Sequence, residues 1–370
     1  MRKTLFKWHS YVGLFSVLPL FLISLTGSLL VFKYELDTLL RGDMVSVAQV
    51  EERLPLDDLI GVVNTVHQDH EIVGWVLFQN PERSDVVYLM PKGSSDWYHI
   101  YLDGYTGAIL SEPGTATTYF TDWLVELHAS FLLGDTGLII VFVYSLLLIV
   151  LGVSGLILHR KFWRNLFKLR TQARRILYYS DLHKLLGAWG SPILLILGIT
   201  GGYWNVAHVL HEMEHHEEEH FVMEHRMYSN DISFDGLMAD APSRVAGFET
   251  TYIRFPNEAD DQIALYGDVP DTNFLTSQYA SSITYDRDSG EYLSHIDIRE
   301  ASALRVFLDT FRQLHFGTFA GVTSRIIWLV VGFFPIVLGC SGLYLWLKRR
   351  RARKAKQQRL QKQIEASMNS

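Results

Sequence analysis

Apolar residues gather into four long blocks, at residues 12–32, 137–158, 185–206 and 326–347, and none of the four contains Lys, Arg, Asp or Glu. Each comes close to the roughly 20 apolar residues a helix needs to cross a bilayer. A buried helix of a soluble protein is rarely so long and so free of charge. Between the blocks the pattern changes. Residues 56–70 have helical spacing. Residues 74–90, 97–110, 250–266 and 282–298 are rich in β-branched and aromatic side chains, with turn signals such as Asn80-Pro81 and Asp103-Gly104.

The expected fold is therefore an α-helical membrane protein with four transmembrane helices and two periplasmic α+β domains. The expected segments are a first span (1–33), an outer domain (34–136), a second span (137–158), a basic cytoplasmic loop (159–184), a third span (185–206), a second outer domain (207–325), a fourth span (326–347) and a basic tail (348–370). The first block exceeds the ~7–15 residues of a signal-peptide core and no A-x-A-like site follows, so it reads as a retained helix.

Charge changes the picture by giving a direction. The N-terminal segment, the 159–184 loop and the tail hold 20 of the 33 basic residues, but only Asp181 and Glu365 of the 40 acidic ones. Basic loops stay in the cytoplasm. This predicts cytoplasmic termini, acidic domains outside, and a place in the bacterial inner membrane in contact with lipid. The basic loop is explained by topology and anionic lipid, so nucleic acid is not an expected partner. Cys340, the single cysteine, lies in the fourth block and excludes an intramolecular disulfide.

The chain also repeats itself. His9, Gly13, Thr26 and Gly27 recur as His183, Gly187, Thr200 and Gly201, always 174 residues later. Leu127-His128, Gly134, Gly152, Ser154 and Gly155 recur as Leu314-His315, Gly321, Gly339, Ser341 and Gly342, always 187 later. The segment from Tyr101 to Gly107 resembles that from Tyr285 to Gly290. This predicts a tandem two-helix repeat, with equivalent residues at equal depth on facing helices.

These motifs, in this order and doubled, resemble the PepSY-associated transmembrane protein family from residue 1 to about Arg351. Within it the chain is similar to ferric-siderophore reductases that carry two haems. Ionisable side chains at membrane depth are rare and usually functional, and imidazole is a good axial ligand for haem iron. The resemblance and the repeat together imply two b-type, bis-histidine haems, one held by His9 and His183, the other by His128 and His315. The chain has no Cys-x-x-Cys-His, so the haems would be non-covalent. Gly13, Gly187, Gly134 and Gly321 are candidates for leaving room for a flat macrocycle. His159 is a fifth candidate, either a ligand or an interface residue; its repeat partner is Trp346.

A second histidine group has no counterpart in the family pattern. His208, His211, His215, His216, His220 and His225 are interleaved with Glu212, Glu214, Glu217, Glu218, Glu219 and Glu224. Imidazole with carboxylate suits iron or another divalent metal. The competing reading is a solvated amphipathic helix. There is no nucleophile elbow, no H-E-x-x-H and no phosphate-binding glycine loop.

The expected function is electron transfer from a quinol or a cytoplasmic reductase to ferric iron or a ferric siderophore outside. The alternative is a non-catalytic membrane regulator, or a metal-binding module, acting through its outer domains.

Overall fold

The computed structural model describes residues 2–50, 52–215 and 222–368. In chain order the helices are α1 (Arg2–Leu30), α2 (Lys33–Val45), α3 (Leu56–Val66), α4 (Phe120–Ser130), α5 (Gly134–Leu158), α6 (Arg175–His215), α7 (Phe234–Arg244), α8 (Ala303–Phe316), α9 (Gly321–Gly332) and α10 (Phe334–Met368). The strands are β1 (His70–Val76), β2 (Asp85–Pro91), β3 (Tyr98–Leu102), β4 (Glu249–Arg254), β5 (Ile263–Asp268), β6 (Ser281–Tyr285) and β7 (Tyr292–Ile296). Contacts divide them into a helical unit (1–31, 127–209, 322–370) and a sheet unit (32–126, 210–321).

The helical unit contains four stretches long and apolar enough to cross a membrane: Arg2–Leu30, Gly134–Leu158, Arg175–Leu210 and Gly321–Met368. All begin before their apolar blocks, because helix continues through the flanking polar residues. The fourth is interrupted at Phe333. Pro335 has no N–H to give, so the chain starts α10 afresh, with Pro335 inside its first turn. The helices approach closely at small residues, as membrane helices do when apolar lipid offers no alternative driving force. A Cβ on Gly198 would lie 3.2 Å from the Ser145 carbonyl of α5, and one on Gly202 2.8 Å from the Ser145 hydroxyl. Likewise Gly190 of α6 lies against Phe334 of α10. Arg325 closes the end of α1, donating from Nε (3.0 Å) and Nη2 (2.8 Å) to the Val31 carbonyl.

The two segments expected as separate outer domains contribute to one sheet. It has seven strands in the order β3-β2-β1-β4-β5-β6-β7, all antiparallel neighbours. Three of the four regions read as strand hold two strands and a turn, and 97–110 holds β3 alone. The join is β1 to β4, with Trp75 opposite Ile253, Gly74 opposite Arg254 and Val76 opposite Tyr252. Shifting by 178 residues maps the Gly74 pair onto the Val76 pair and the central pair onto itself, so the join has a local two-fold axis through Trp75 and Ile253. Trp75 and Ile253 are fully buried among Leu59, Phe234, Phe255 and Tyr285. Asp85 is buried beside Trp75, whose indole N–H donates to it at 2.8 Å, while Arg53 donates to both carboxylate oxygens.

The same symmetry governs the helix ends. The first N–H groups of a helix lack intrahelical acceptors. Those of α3, at Leu56 and Asp57, donate to the two carboxylate oxygens of Asp235, each at 2.9 Å. In return Phe234 N–H at the start of α7 donates to Asp57 at 2.7 Å. Each helix thus caps the other across a separation of 178 residues. Asp57→Ala and Asp235→Ala are each expected to lower stability by about 1–2 kcal/mol, the usual worth of a cap. The exposed Asp58→Ala should be neutral. Thermal unfolding of the full-length protein in detergent checks both.

Candidate functional site

His9 lies in α1 and His183 in α6, both half-buried and near the end of the helical unit that carries Arg2 and Arg349. Their ring centroids are 6.4 Å apart, with the ring planes at 85°. His9 Nδ1 is 2.8 Å from the Ser154 hydroxyl, and His183 Nδ1 is 3.0 Å from the Ser341 hydroxyl. The next residue in each case is a glycine under the ring. A Cβ on Gly155 would come 3.5 Å from His9 Cε1, and one on Gly342 would come 3.4 Å from His183 Cε1.

Both rings line a cavity of about 960 Å³. Its deeper wall is apolar, with Leu20, Leu148, Leu194 and Leu338, and Lys3, Lys7, Lys184 and Arg353 stand with the two arginines in its lining. Gly13 and Gly187 are part of the wall, as expected. Gly134 and Gly321 have a different role. They start α5 and α9 with φ of 55° and 59°, the left-handed region glycine tolerates, in open space. His159, which ends α5, also lines the cavity, as does Trp346.

The residues fit a flat, bis-imidazole-ligated macrocycle. Two imidazoles on one metal, with bonds of about 2.0 Å each, have centroids roughly 6 Å apart, close to the spacing of His9 and His183. Ser16 is fully buried on the cavity wall and its hydroxyl has no hydrogen-bond partner among the described residues. An orphaned polar atom facing a large cavity is what an additional bound group would satisfy.

The PepSY-associated TM region family model matches residues 6–349. The chain belongs to this family. An uncharacterized protein of Pseudomonas aeruginosa is similar to it, 28% identical over 259 residues, which is 62% of this chain and 64% of the relative. The chain therefore spans less than two thirds of that relative's length.

In this PepSY-associated chain the second histidine pair is divided. His128, at the end of α4, belongs to the helical unit and His315, in α8, to the sheet unit. His128 Nδ1 is 3.0 Å from the Ile23 carbonyl and 3.1 Å from the Thr26 hydroxyl of α1. Its ring lies on Gly27, where a Cβ would come 2.6 Å from Cε1. His315 packs edge-on against Phe316, at 5.7 Å between centroids. α4 and α8 were not anticipated, although apolar residues spaced along 303–316 were a legible signal.

Of the expected metal ligands, His208 is an exposed residue of α6, and His211 and His215 fall in the last turns of that helix. His216 and His220 lie outside the described residues. Among the described residues no three His, Cys, Asp or Glu side chains gather as a metal site.

Ser154 and Ser341, the partners of His9 and His183, recur in the repeat, and the sequence alone gives them no role. The signal available was the recurring Gly-x-Ser-Gly of α5 and α10. Gly27→Ala is expected to push His128 off α1 and to cost about 1–3 kcal/mol, as overpacking does. Gly42→Ala, with nothing within 4 Å and a place inside α2, should not lower the melting temperature.

Proposed function

We propose that this PepSY-associated membrane protein is a di-haem electron-transfer protein that reduces ferric iron or a ferric siderophore on the outer side of the bacterial inner membrane. The observation that carries the reading is the pair of imidazoles 6.4 Å apart in a cavity of about 960 Å³. His9 and His183 would hold one haem, and His128 and His315 the other, in a tandem repeat with both termini cytoplasmic. Haem iron, when bound, supplies a one-electron carrier in a medium that dissolved ions do not enter.

The chain's own residues do the rest. Leu20, Leu194 and Leu338 keep water from the site. Lys3, Lys7, Arg349 and Arg353 line the cavity and would offer positive charge to the carboxylates of a bound haem. The electron balance needs a donor of quinol class, or a cytoplasmic reductase. One quinol gives two electrons and two protons, and so reduces two ferric ions to ferrous. Ferrous iron binds hard oxygen chelators more weakly than ferric iron does, which releases the metal for import.

Purified protein is expected to be red, with a Soret band that shifts on adding dithionite. His9→Ala and His183→Ala should each lose one and the same haem, and His159→Ala should lose none. A colourless protein that binds no added haemin would instead support the regulator reading. For orientation, a reporter after Ser370 should report cytoplasm and one inserted near Ser94 periplasm; the reverse at either site contradicts the proposed topology.

A further inference from the structure

The two rings at the cavity share a detail that liganding alone does not require. Each is gripped by a Ser-Gly pair on another helix: His9 by Ser154-Gly155 of α5, and His183 by Ser341-Gly342 of α10. The serine meets Nδ1, and a Cβ on the glycine would stand in ordinary contact with Cε1 of the ring.

A hydroxyl has one hydrogen to donate. Ser154 Oγ is placed to donate it to the Leu151 carbonyl at 3.3 Å, and Ser341 Oγ to the Leu338 carbonyl at 3.1 Å, each within its own helix. With the hydrogen so engaged, the oxygen is left as an acceptor. The group it accepts from is the imidazole Nδ1–H. A neutral imidazole carries only one N–H, so the lone pair lies on Nε2. The assignment follows from the network rather than from visible hydrogens. His128 provides an independent instance, because its Nδ1 lies 3.0 Å from the Ile23 carbonyl, which can only accept.

We propose that Ser154 and Ser341 are positioning residues that hold His9 and His183 as Nδ1–H tautomers, so that both Nε2 lone pairs serve one metal in the cavity. The proposal rests on the haem reading above and deepens it. A hydroxyl suits this role at membrane depth because it accepts the bond without adding a charge, and a buried carboxylate there would be costly. Accepting Nδ1–H also makes Nε2 a stronger donor, which favours the oxidised metal. Both serines therefore pull the potential of that site downward.

The test uses full-length wild type, Ser154→Ala, Ser341→Ala, Ser154→Cys, Ser154→Thr and His9→Ala, each loaded with haem. Three quantities are read: haem content by pyridine haemochrome, midpoint potentials by optical titration, and the low-spin electron paramagnetic resonance signals. Both alanine variants are expected to keep two haems, to move one potential upward and to move the matching resonance signal. Ser154→Cys, nearly isosteric but a weaker acceptor, should move the same potential the same way, and it stands in if the alanine variants fail to fold. Ser154→Thr, which keeps the hydroxyl, should restore the wild-type value. Wild-type potentials and signals in the folded alanine or cysteine variants, alongside loss of one haem in His9→Ala, overturn the serine role and leave the haem reading standing. Two haems retained in His9→Ala overturn the ligand assignment, and the serine role with it.

Discussion

A polar side chain placed in hydrocarbon has to find its partners inside the protein, because the solvent offers none. Much of the helical unit follows from that constraint. Thr26 and Thr200 are buried and return their hydroxyl hydrogens to carbonyls of their own helices, at 2.8 Å to Leu22 and Ile196 respectively. Asn205 donates to the Leu138 carbonyl on α5 at 3.1 Å. The imidazoles obey the same rule through Ser154, Ser341 and the Ile23 carbonyl. These bonds fix ring orientation as a by-product of satisfying a donor. Ser16 and Ser28 have no partner among the described residues, and Ser16 lines the cavity, where the proposed cofactor would sit beside it.

Small residues are the other half of the arrangement. Gly27 lets the His128 ring lie against α1, while Gly190, Gly198 and Gly202 let helices lie against each other. The two uses are indistinguishable in a sequence, where both read as glycine in an apolar block. This explains why Gly134 and Gly321 look like room for a ligand in the sequence when they are backbone devices at helix starts.

Much of the architecture was legible. Absence of charge over about 20 residues is a demand of the bilayer, and packing in a soluble protein rarely produces it. The helix limits were less legible, because helices run on into polar flanks at Arg2 and Arg175. The join of β1 to β4 could not be read, since strand pairing partners are set by contacts 178 residues apart and not by local pattern. At the site, His9 and His183 were legible through their doubling, and the structure brings them together. Their serines were visible only as spacing, and their role needed the distance to Nδ1. In the metal tract α6 accounts for His208, His211 and His215 as helix, His225 is an exposed residue beyond it, and His216 and His220 lie outside the described residues.

The mutual capping of α3 and α7 has a bearing on the order in which the chain matures. Asp57 is made long before Phe234, and Asp235 long after Leu56. The first sheet-forming segment is therefore made with a helix start left open and a strand edge at β1 left bare. Neither can be closed until α5 and α6 and the second sheet-forming segment have followed it. Contacts at such sequence separation form slowly, and exposed edges invite wrong partners in the interval. The sheet thus closes only on a chain in which the segments of α1 and α6, with His9 and His183, have already been made.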